Sequence, residues 1–316
     1  MTPCSPSAAD RVLSHALGDR LRRQVPLAPL STFGAGGDAD WLVEARTPGD
    51  VCHALGAAAD AGVGVTLLGG GSNVLVGDGG VRGLVVRLRH GSIGRIGPRV
   101  VRAAAGVTLN GLVRWTITRG LGGLEGWAGT PGTVGGAVYG NAHFQGRLLG
   151  DEVVRVGLAN ADGEEHAVAN AAMEFGYDRS RLQRTSEAAL WAEFRVDAGD
   201  PVRLRALARA ALAYRKRTQP LDVPSAGCIF RNLDPDTEGI PRDLPPSAGA
   251  LIARAGLKGA AVGRARVSEV HANFIVCDGQ VSAREIRSLI ERCRAEVEAM
   301  FGVTLRREVV YLGEFS

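Results

Sequence analysis

An α+β protein of more than one domain is predicted by three observations. Apolar residues alternate between helical spacing and short β-branched runs. Two glycine-dense turns, Leu68-Gly69-Gly70-Gly71-Ser72-Asn73 and the stretch 129–141, each adjoin such runs. Prolines gather between Pro220 and Pro246 and mark a linker. The 316 residues suit about two domains or three small ones, and an apolar fraction of 45% is enough for real cores.

Taken in order, residues 1–22 read as a short, partly helical extension. Thr47-Pro48-Gly49-Asp50 opens a helix, with Thr47 as N-cap, Pro48 at the first helical position and an acid at the third. Val51, Leu55 and Ala58 mark its inner face and Gly62 stops it. Residues 63–68 then read as a buried strand that delivers the chain into the first glycine turn. Residues 74–76 and 83–88 read as further strands around Gly77-Asp78-Gly79-Gly80.

Residues 95–107 read as a hairpin. Thr108 caps a helix with Leu109, Leu112, Val113 and Ile117 inward, closed by Gly120. Residues 153–168 alternate like strands around Asn160-Ala161-Asp162-Gly163. A helix at about 202–216 places Leu204, Leu207, Ala211 and Leu212 on one face, and Pro220, Pro224, Pro235, Pro241, Pro245 and Pro246 follow as linker and domain entry. Ser247 caps a helix ending at Gly256. Residues 260–267 and 272–276 read as strands. Ser282-Ala283-Arg284-Glu285 is a capping box whose helix turns Ile286, Leu289, Ile290, Cys293 and Val297 inward, with Gly302 beyond its end. Residues 308–312 form a last strand.

Composition excludes several classes. The net charge of +4 and a pI near 9.0 suit anionic small ligands, but the basic residues are scattered and no RNA-binding or zinc-finger pattern is present. No nucleic-acid partner is expected. No apolar run approaches the 18 residues of a membrane span, and Asp10, Arg11 and Asp19 interrupt any secretory signal. Cys4, Cys52, Cys228, Cys277 and Cys293 are odd in number and form no C-x-x-C pair, so a reduced, cytoplasmic setting is the expectation, with no metal site. Nothing calls for an obligate protein partner.

The two glycine turns carry the chemistry. Glycine lets backbone N–H groups approach a bulky anion where a Cβ would collide, and a diphosphate fits two such nests best. Glycine turns in a β-rich domain are the plain alternative, and glycine content alone leaves the two readings even. Gly34-Ala35-Gly36-Gly37-Asp38-Ala39 matches the dinucleotide fingerprint G-x-G-x-x-A in form. It leads into the strand-like Trp41-Leu42-Val43-Glu44 rather than into a helix, so a Rossmann site is rejected. No P-loop is present.

The order of the motifs decides between the readings. Leu68–Asn73 followed by residues 129–141 resembles the flavin-binding domain of the vanillyl-alcohol-oxidase-like superfamily. Further stretches are similar to the UDP-N-acetylenolpyruvoylglucosamine reductase family, also called UDP-N-acetylmuramate dehydrogenases. They are Ser31-Thr32-Phe33-Gly34, Gly123-Leu124-Glu125-Gly126, Thr218-Gln219-Pro220-Leu221, residues 224–232, Ala255-Gly256-Leu257-Lys258-Gly259, His271-Ala272-Asn273-Phe274-Ile275-Val276 and Arg307-Glu308-Val309. The likeness runs from about Leu27 to Glu314.

That resemblance implies a two-lobed FAD-binding domain of the vanillyl-alcohol-oxidase type plus a C-terminal α+β substrate domain. The expected layout is an extension over 1–22, one FAD lobe over 23–90 with the C-terminal strand 306–316, a second FAD lobe over 91–215, and a substrate domain over 216–305. It implies FAD and NADPH as cofactors and a UDP-sugar as substrate. NADPH reduces the flavin, which passes hydride to the enolpyruvyl ether of UDP-N-acetylglucosamine, giving UDP-N-acetylmuramate for peptidoglycan synthesis. The cofactor residues implied are Gly69, Gly70, Gly71, Ser72, Asn73, Gly129, Thr130, Pro131, Gly132, Thr133, Gly135, Gly136 and Asn141. Arg215, Arg231 and Asn232 match positions that line the substrate, where guanidinium forks suit a diphosphate.

The family's proton donor is a serine after Ala-Gly, and Cys228 stands there in Pro224-Ser225-Ala226-Gly227-Cys228-Ile229-Phe230-Arg231-Asn232. A thiol is a stronger acid than an alcohol and can do the same work. Glu308 matches the catalytic glutamate. In the family's Y-R-x-S, Asp178 stands in the arginine's place, within Tyr177-Asp178-Arg179-Ser180-Arg181; Arg179 is the expected substitute, with Arg181 or loss of the role as the alternatives. His143 and Phe144, where the family has smaller residues, either pack on the flavin or plug the domain junction. Two rivals stand beside this reading: a flavin oxidase or dehydrogenase acting on another substrate, and a non-catalytic FAD- or UDP-sugar-binding protein.

Overall fold

The computed structural model describes residues 7–89, 91–234 and 244–315. Cys4, Pro235 and Pro241 lie outside the described residues. Two compact units divide the chain. One takes the N-terminal residues to Val25, then 39–70 and 82–213; the other takes 26–38, 71–81 and the chain from Tyr214 onward.

In the first unit, helix α1 (Ala8–Leu17) starts where the Ser7 hydroxyl accepts the Asp10 N–H. Leu13 and Leu17 are buried in the main core, so this stretch is more than an appended extension. The Asp10 carboxylate fixes it in place by accepting from the Trp41 indole at 2.9 Å and from the Arg23 fork. Helix α2 (Pro48–Ala61) has the capping box of Thr47 and Asp50, buries Val51, Leu55 and Ala58, and ends at Gly62 with a left-handed φ of 64°. A four-stranded sheet runs in the order Arg22–Pro26, Asp38–Ala45, Val81–Leu88, Val65–Leu68. The last strand lies at the edge, parallel to Val81–Leu88, and only its Leu68 is buried. An edge position leaves one flank in solvent, which is why the strand read as buried is only half so. No helix follows Gly34–Gly37; the chain enters the strand Asp38–Ala45 directly.

Helix α3 (Leu109–Thr118) is capped by Thr108 and buries Leu109, Leu112, Val113 and Ile117. A five-stranded sheet follows, in the order Glu165–Ala169, Val153–Ala159, Ala188–Arg195, Val100–Ala104, Ile93–Gly97, with every pair antiparallel. Gly157 faces Trp191 in this sheet, and any Cβ there would collide with the indole. Helix α4 (Val134–Tyr139) starts at Thr133. Helix α5 (Pro201–Thr218) buries Leu204 and Arg215, whereas Leu207, expected inward, is 45% exposed. Leu207 lies three residues after Leu204, about 60° short of a full turn, and so points away from the Leu204 side.

The second unit has its own core, built on Phe33, Leu75, Ile229, Phe230, Leu251, Ile252 and the inner face of helix α7. Helix α6 (Ala248–Arg254) is capped by Ser247. Helix α7 (Ala283–Phe301) carries the Ser282–Glu285 capping box and ends at the left-handed Gly302; Ile286, Leu289, Ile290, Cys293 and Val297 are all buried. The Asp78 carboxylate also accepts the N–H groups of Ala283 and Arg284, at 2.8 and 2.9 Å. The run read as one strand over 260–267 is a hairpin of Ala261–Val262 and Ala265–Val267, broken at Gly263 with φ 55°. Ile275–Cys277 completes that antiparallel sheet. Val310–Leu312 pairs in parallel with Val74–Val76.

Candidate active site

The first unit contains one glycine-lined surface. A Cβ on Gly69 would collide with the Thr133 hydroxyl, and one on Gly70 would come within 2.9 Å of the Gly132 Cα. At Gly70 the two turns therefore touch backbone to backbone, which demands glycine there. Gly129 and Gly132 have φ of 83° and 97°, a second reason for glycine. Among the described residues, no protein acceptor takes the N–H groups of Gly70 or Gly132. Donors on a surface without side chains fit a diphosphate. Other N–H groups of this region are already engaged. Gly135 donates to Ala105 O at 2.8 Å and Gly136 to Thr133 Oγ1 at 3.4 Å, so both serve packing of α4.

A residue missed in the sequence holds the second of these turns. Asn110, in the first turn of α3, accepts from the Gly129 N–H at 2.6 Å and donates to Thr130 O at 3.1 Å. Its signal is a side-chain amide between the buried Leu109 and Leu112 in the first turn of the helix. Pro131 is exposed between them. Asn141 is fully buried at φ 45°; its amide accepts from Gly150 N–H at 2.7 Å and donates to Gly176 O at 2.8 Å. It thereby fixes the turn that carries Tyr177, Asp178 and Arg179.

That turn is closed by reciprocal hydrogen bonds between Gly176 and Arg179, at 3.0 and 3.1 Å. Asp178 takes its left-handed position, φ 45°, which Asp tolerates better than long side chains do, and it is buried. Arg179 is exposed, with its guanidinium folded over Gly176. Arg181 makes a bidentate pair with Glu187 at 2.7 and 2.8 Å. His143 packs against Tyr177 with tilted rings, centroids 4.4 Å apart and planes 48° from parallel.

The second unit holds the remainder of the first turn and the candidate proton donor. A Cβ on Gly71 would collide with Leu30 O, and Thr32 N–H donates to Gly71 O at 2.9 Å. No protein acceptor among the described residues takes the N–H groups of Gly71 or Ser72. The Asn73 side chain donates to Glu308 O at 3.2 Å, and Val310 N–H to Asn73 O at 3.0 Å.

Cys228 starts a short extended segment gripped on both sides. On one flank Cys228 bridges Phe274 and Ile229 N–H donates to Asn273 O at 2.8 Å. On the other, Phe230 bridges Arg307, Glu308 N–H donates to Ile229 O at 2.8 Å and Arg231 N–H to Arg306 O at 2.9 Å. Cys228 keeps some exposure, yet desolvation pushes its thiol up; the Glu308 charge adds to that rise, while Arg215 and the Asn273 side chain oppose it. Arg215 is buried, and burial pulls its guanidinium down to about 10, partly offset by Cys228. Arg231 is half-buried; the exposed Asn232 accepts the Ala248 N–H at 3.2 Å. Asn273, whose role the sequence did not reveal, is buried; its signal is an amide inside an apolar run. His271, beside it, is lowered by burial and then by Lys258.

Among the described residues, no helix is long and apolar enough to cross a membrane, and no group of three His, Cys, Asp or Glu side chains could hold a metal ion.

Comparison with known proteins bears on the fold and the family. The family described as FAD binding domain matches residues 39–169, and the family described as UDP-N-acetylenolpyruvoylglucosamine reductase, C-terminal domain, matches residues 219–312. The reductase of Synechococcus sp. (strain WH7803) is 39% identical over 93% of this chain and 93% of its own length. That of Moorella thermoacetica is 40% identical over 92% of each. The crystal structure of the Thermus caldophilus reductase superposes with a TM-score of 0.77, at 31% identity, covering 93% of this chain and 99% of that one. The glucose dehydrogenase Phl p 4.0202 shares the fold over 62% of this chain and 45% of its own, with a TM-score of 0.50 at 14% identity. An FAD-binding domain, a reductase C-terminal domain and relatives of this identity along nearly the whole chain lead to one conclusion: the chain belongs to the UDP-N-acetylenolpyruvoylglucosamine reductase family of FAD-dependent oxidoreductases.

Proposed function

We propose that the chain uses NADPH and bound FAD to reduce the enolpyruvyl ether of UDP-N-acetylglucosamine to UDP-N-acetylmuramate, with Cys228 as proton donor. The observation that carries this reading is the placement of Glu308 and Arg215 within electrostatic reach of Cys228 in the second unit. Within the first unit, Gly70 and Gly132 offer N–H donors suited to the FAD diphosphate.

FAD, when bound, carries the hydride from NADPH to the vinyl carbon distal to the ether oxygen. The carbon next to the carboxylate then requires a proton. Cys228 gives it: the S–H bond breaks, a C–H bond forms, and the thiolate recovers a proton from solvent. Desolvation and Glu308 hold the thiol protonated at neutral pH, so the proton is in place before each turnover. Arg215 offsets the negative charge that the thiolate then bears, and it supplies a buried cation for the substrate's carboxylate. Arg179 is the second candidate cation. Its exposure argues for the smaller share. Arg231 and Asn232 are assigned to the UDP-sugar.

The test is direct. Purified protein should be yellow, lose that colour with NADPH, and regain it when the enolpyruvyl UDP-sugar is added without oxygen. A preparation that is reduced by NADPH but ignores the UDP-sugar would overturn the substrate assignment.

A further inference from the structure

We infer that Asn110 is a positioning residue for the cofactor: its side-chain amide ties the backbone of Gly129 and Thr130 to helix α3 and keeps the Thr130 carbonyl from facing the FAD diphosphate. The inference rests on the reading of the second glycine turn as a diphosphate surface.

In the first unit, residues 105–109 run alongside 132–135. Gly135 N–H donates to Ala105 O and Val134 N–H to Val107 O, both at 2.8 Å, and Leu109 N–H donates to Gly132 O at 3.1 Å. Main-chain pairing thus secures the later part of the turn. The earlier part is secured by a side chain. Asn110 Oδ1 accepts the Gly129 N–H at 2.6 Å, and Nδ2 donates to Thr130 O at 3.1 Å. The two bonds run in opposite senses, so the flipped amide would set donor against donor and acceptor against acceptor.

Which groups are bonded decides what an anion meets. Gly132 O is held by the backbone of Leu109 and does not depend on the side chain at position 110. Thr130 O does depend on it. Its peptide precedes Pro131, which has no N–H, so this peptide can present a phosphate only with a repelling oxygen. The Gly132 N–H, two residues on, has no protein acceptor among the described residues. With Thr130 O tied to α3, that donor serves the diphosphate without a competing acceptor beside it. Without the amide, α3 no longer holds Thr130 O, and the turn can place it against the phosphate.

The experiment dilutes FAD-loaded protein serially and reads the Kd from the fluorescence of released flavin, with urea denaturation alongside. Wild type is compared with Asn110→Leu, Asn110→Ala and Thr108→Ala. Leucine matches the amide in size and removes both bonds; alanine, the best helix former, keeps α3 if leucine disturbs the packing. Either should weaken FAD binding by about tenfold, the usual net worth of one or two hydrogen bonds. Thr108→Ala is the structural comparison. Its hydroxyl caps the same helix by accepting the Gly111 N–H at 3.1 Å, so its loss should lower the urea midpoint and leave the Kd near that of wild type.

A residue that only stabilised the fold would behave like Thr108, because the Kd is read on folded molecules. Wild-type FAD affinity in Asn110→Ala would overturn the inference whatever the urea midpoint, and so would an equal loss of affinity in Thr108→Ala. The double variant Gly70→Ala/Asn110→Ala should lose less than the product of the two single losses, since both act through the turn that holds Gly132. A loss equal to the full product would place the action of Asn110 elsewhere and overturn the inference too. Undiminished FAD affinity in Gly70→Ala alone would instead remove the glycine turns from the cofactor site, which separates the two failures.

Discussion

The main-chain N–H of Glu308 donates to the carbonyl of Ile229, the residue after Cys228, at 2.8 Å. Acid and thiol thus lie on adjacent segments of one unit, although 80 positions separate them in the chain. This pairing lets the Glu308 charge raise the thiol's pKa, which suits a group that must still hold its proton when the double bond is attacked.

Replacing Cys228 by alanine removes the proposed acid and leaves the glycine turns untouched. Stopped-flow absorbance should show flavin reduction by NADPH at an unchanged rate and re-oxidation by substrate about 10²–10⁴-fold slower, the usual worth of a positioned general acid. Cys228→Ser should retain much of the activity. If alanine re-oxidised as fast as wild type, another group would be the donor.

Charge on the two neighbours should move the thiol in opposite directions. Glu308 raises its pKa, so Glu308→Gln should lower it and speed alkylation of Cys228 at pH 8; Arg215 lowers it, so Arg215→Met should slow alkylation. At a pH below that pKa, the thiolate fraction falls about tenfold when the pKa rises by one, so several-fold effects of opposite sign are expected. Parallel substitution should also show Arg215→Ala impairing substrate-driven re-oxidation more than Arg179→Ala. Alkylation rates that move together, or not at all, would contradict this electrostatic arrangement.

Gly70→Ala tests the cofactor surface. Its Cβ would press on the Gly132 backbone from 2.9 Å, and main chain cannot give way as a flexible side chain can. The turns must separate, which moves the N–H groups of Gly70 and Gly132 apart. FAD affinity, titrated by fluorescence quenching into protein stripped of flavin, should fall by about tenfold or more. Gly62→Ala, at a left-handed helix end with nothing within 4 Å, should cost stability without changing FAD affinity.

Much of the fold was legible because its punctuation is local. Thr47, Thr108, Ser247 and Ser282 each cap the helix that the sequence assigned to them, since a capping residue needs only the next three positions to act. Leu207 and the strand at Val65–Leu68 were misjudged because exposure depends on what tertiary neighbours cover, and spacing does not report it. The site divides in the same way. Cys228 and Glu308 are proposed for the site because each sits in a motif of family order. Asn110 and Asn273 were missed because their work is done on backbone atoms far away in sequence, which leaves no spacing rule to read. Asp178 was recognised as a departure, but its left-handed backbone, which favours a short polar side chain, emerges only from the structure.

Glu285 offers a pH-dependent test of the second unit. Its carboxylate accepts the Ser282 N–H at 2.7 Å, the Ser282 hydroxyl at 2.8 Å and the Arg264 N–H at 3.1 Å. The Ser282 backbone bond, then its hydroxyl, then the Arg264 backbone bond hold its pKa below the ordinary value. A carboxyl depressed in the folded state contributes stability that is fully present above the unfolded pKa, about 4.3, and lost as pH falls through the folded value. Glu285→Gln keeps the shape and removes the charge. At pH 7 it should cost about 0.5–1 kcal/mol, the lower part of the range for a helix cap because the group is partly exposed to solvent. Urea denaturation of both proteins should show that gap narrowing as the pH falls below the unfolded pKa and on through the lower folded one. A gap as wide at pH 3 as at pH 7 would mean that α7 depends on the side chain's shape and not on its ionisation.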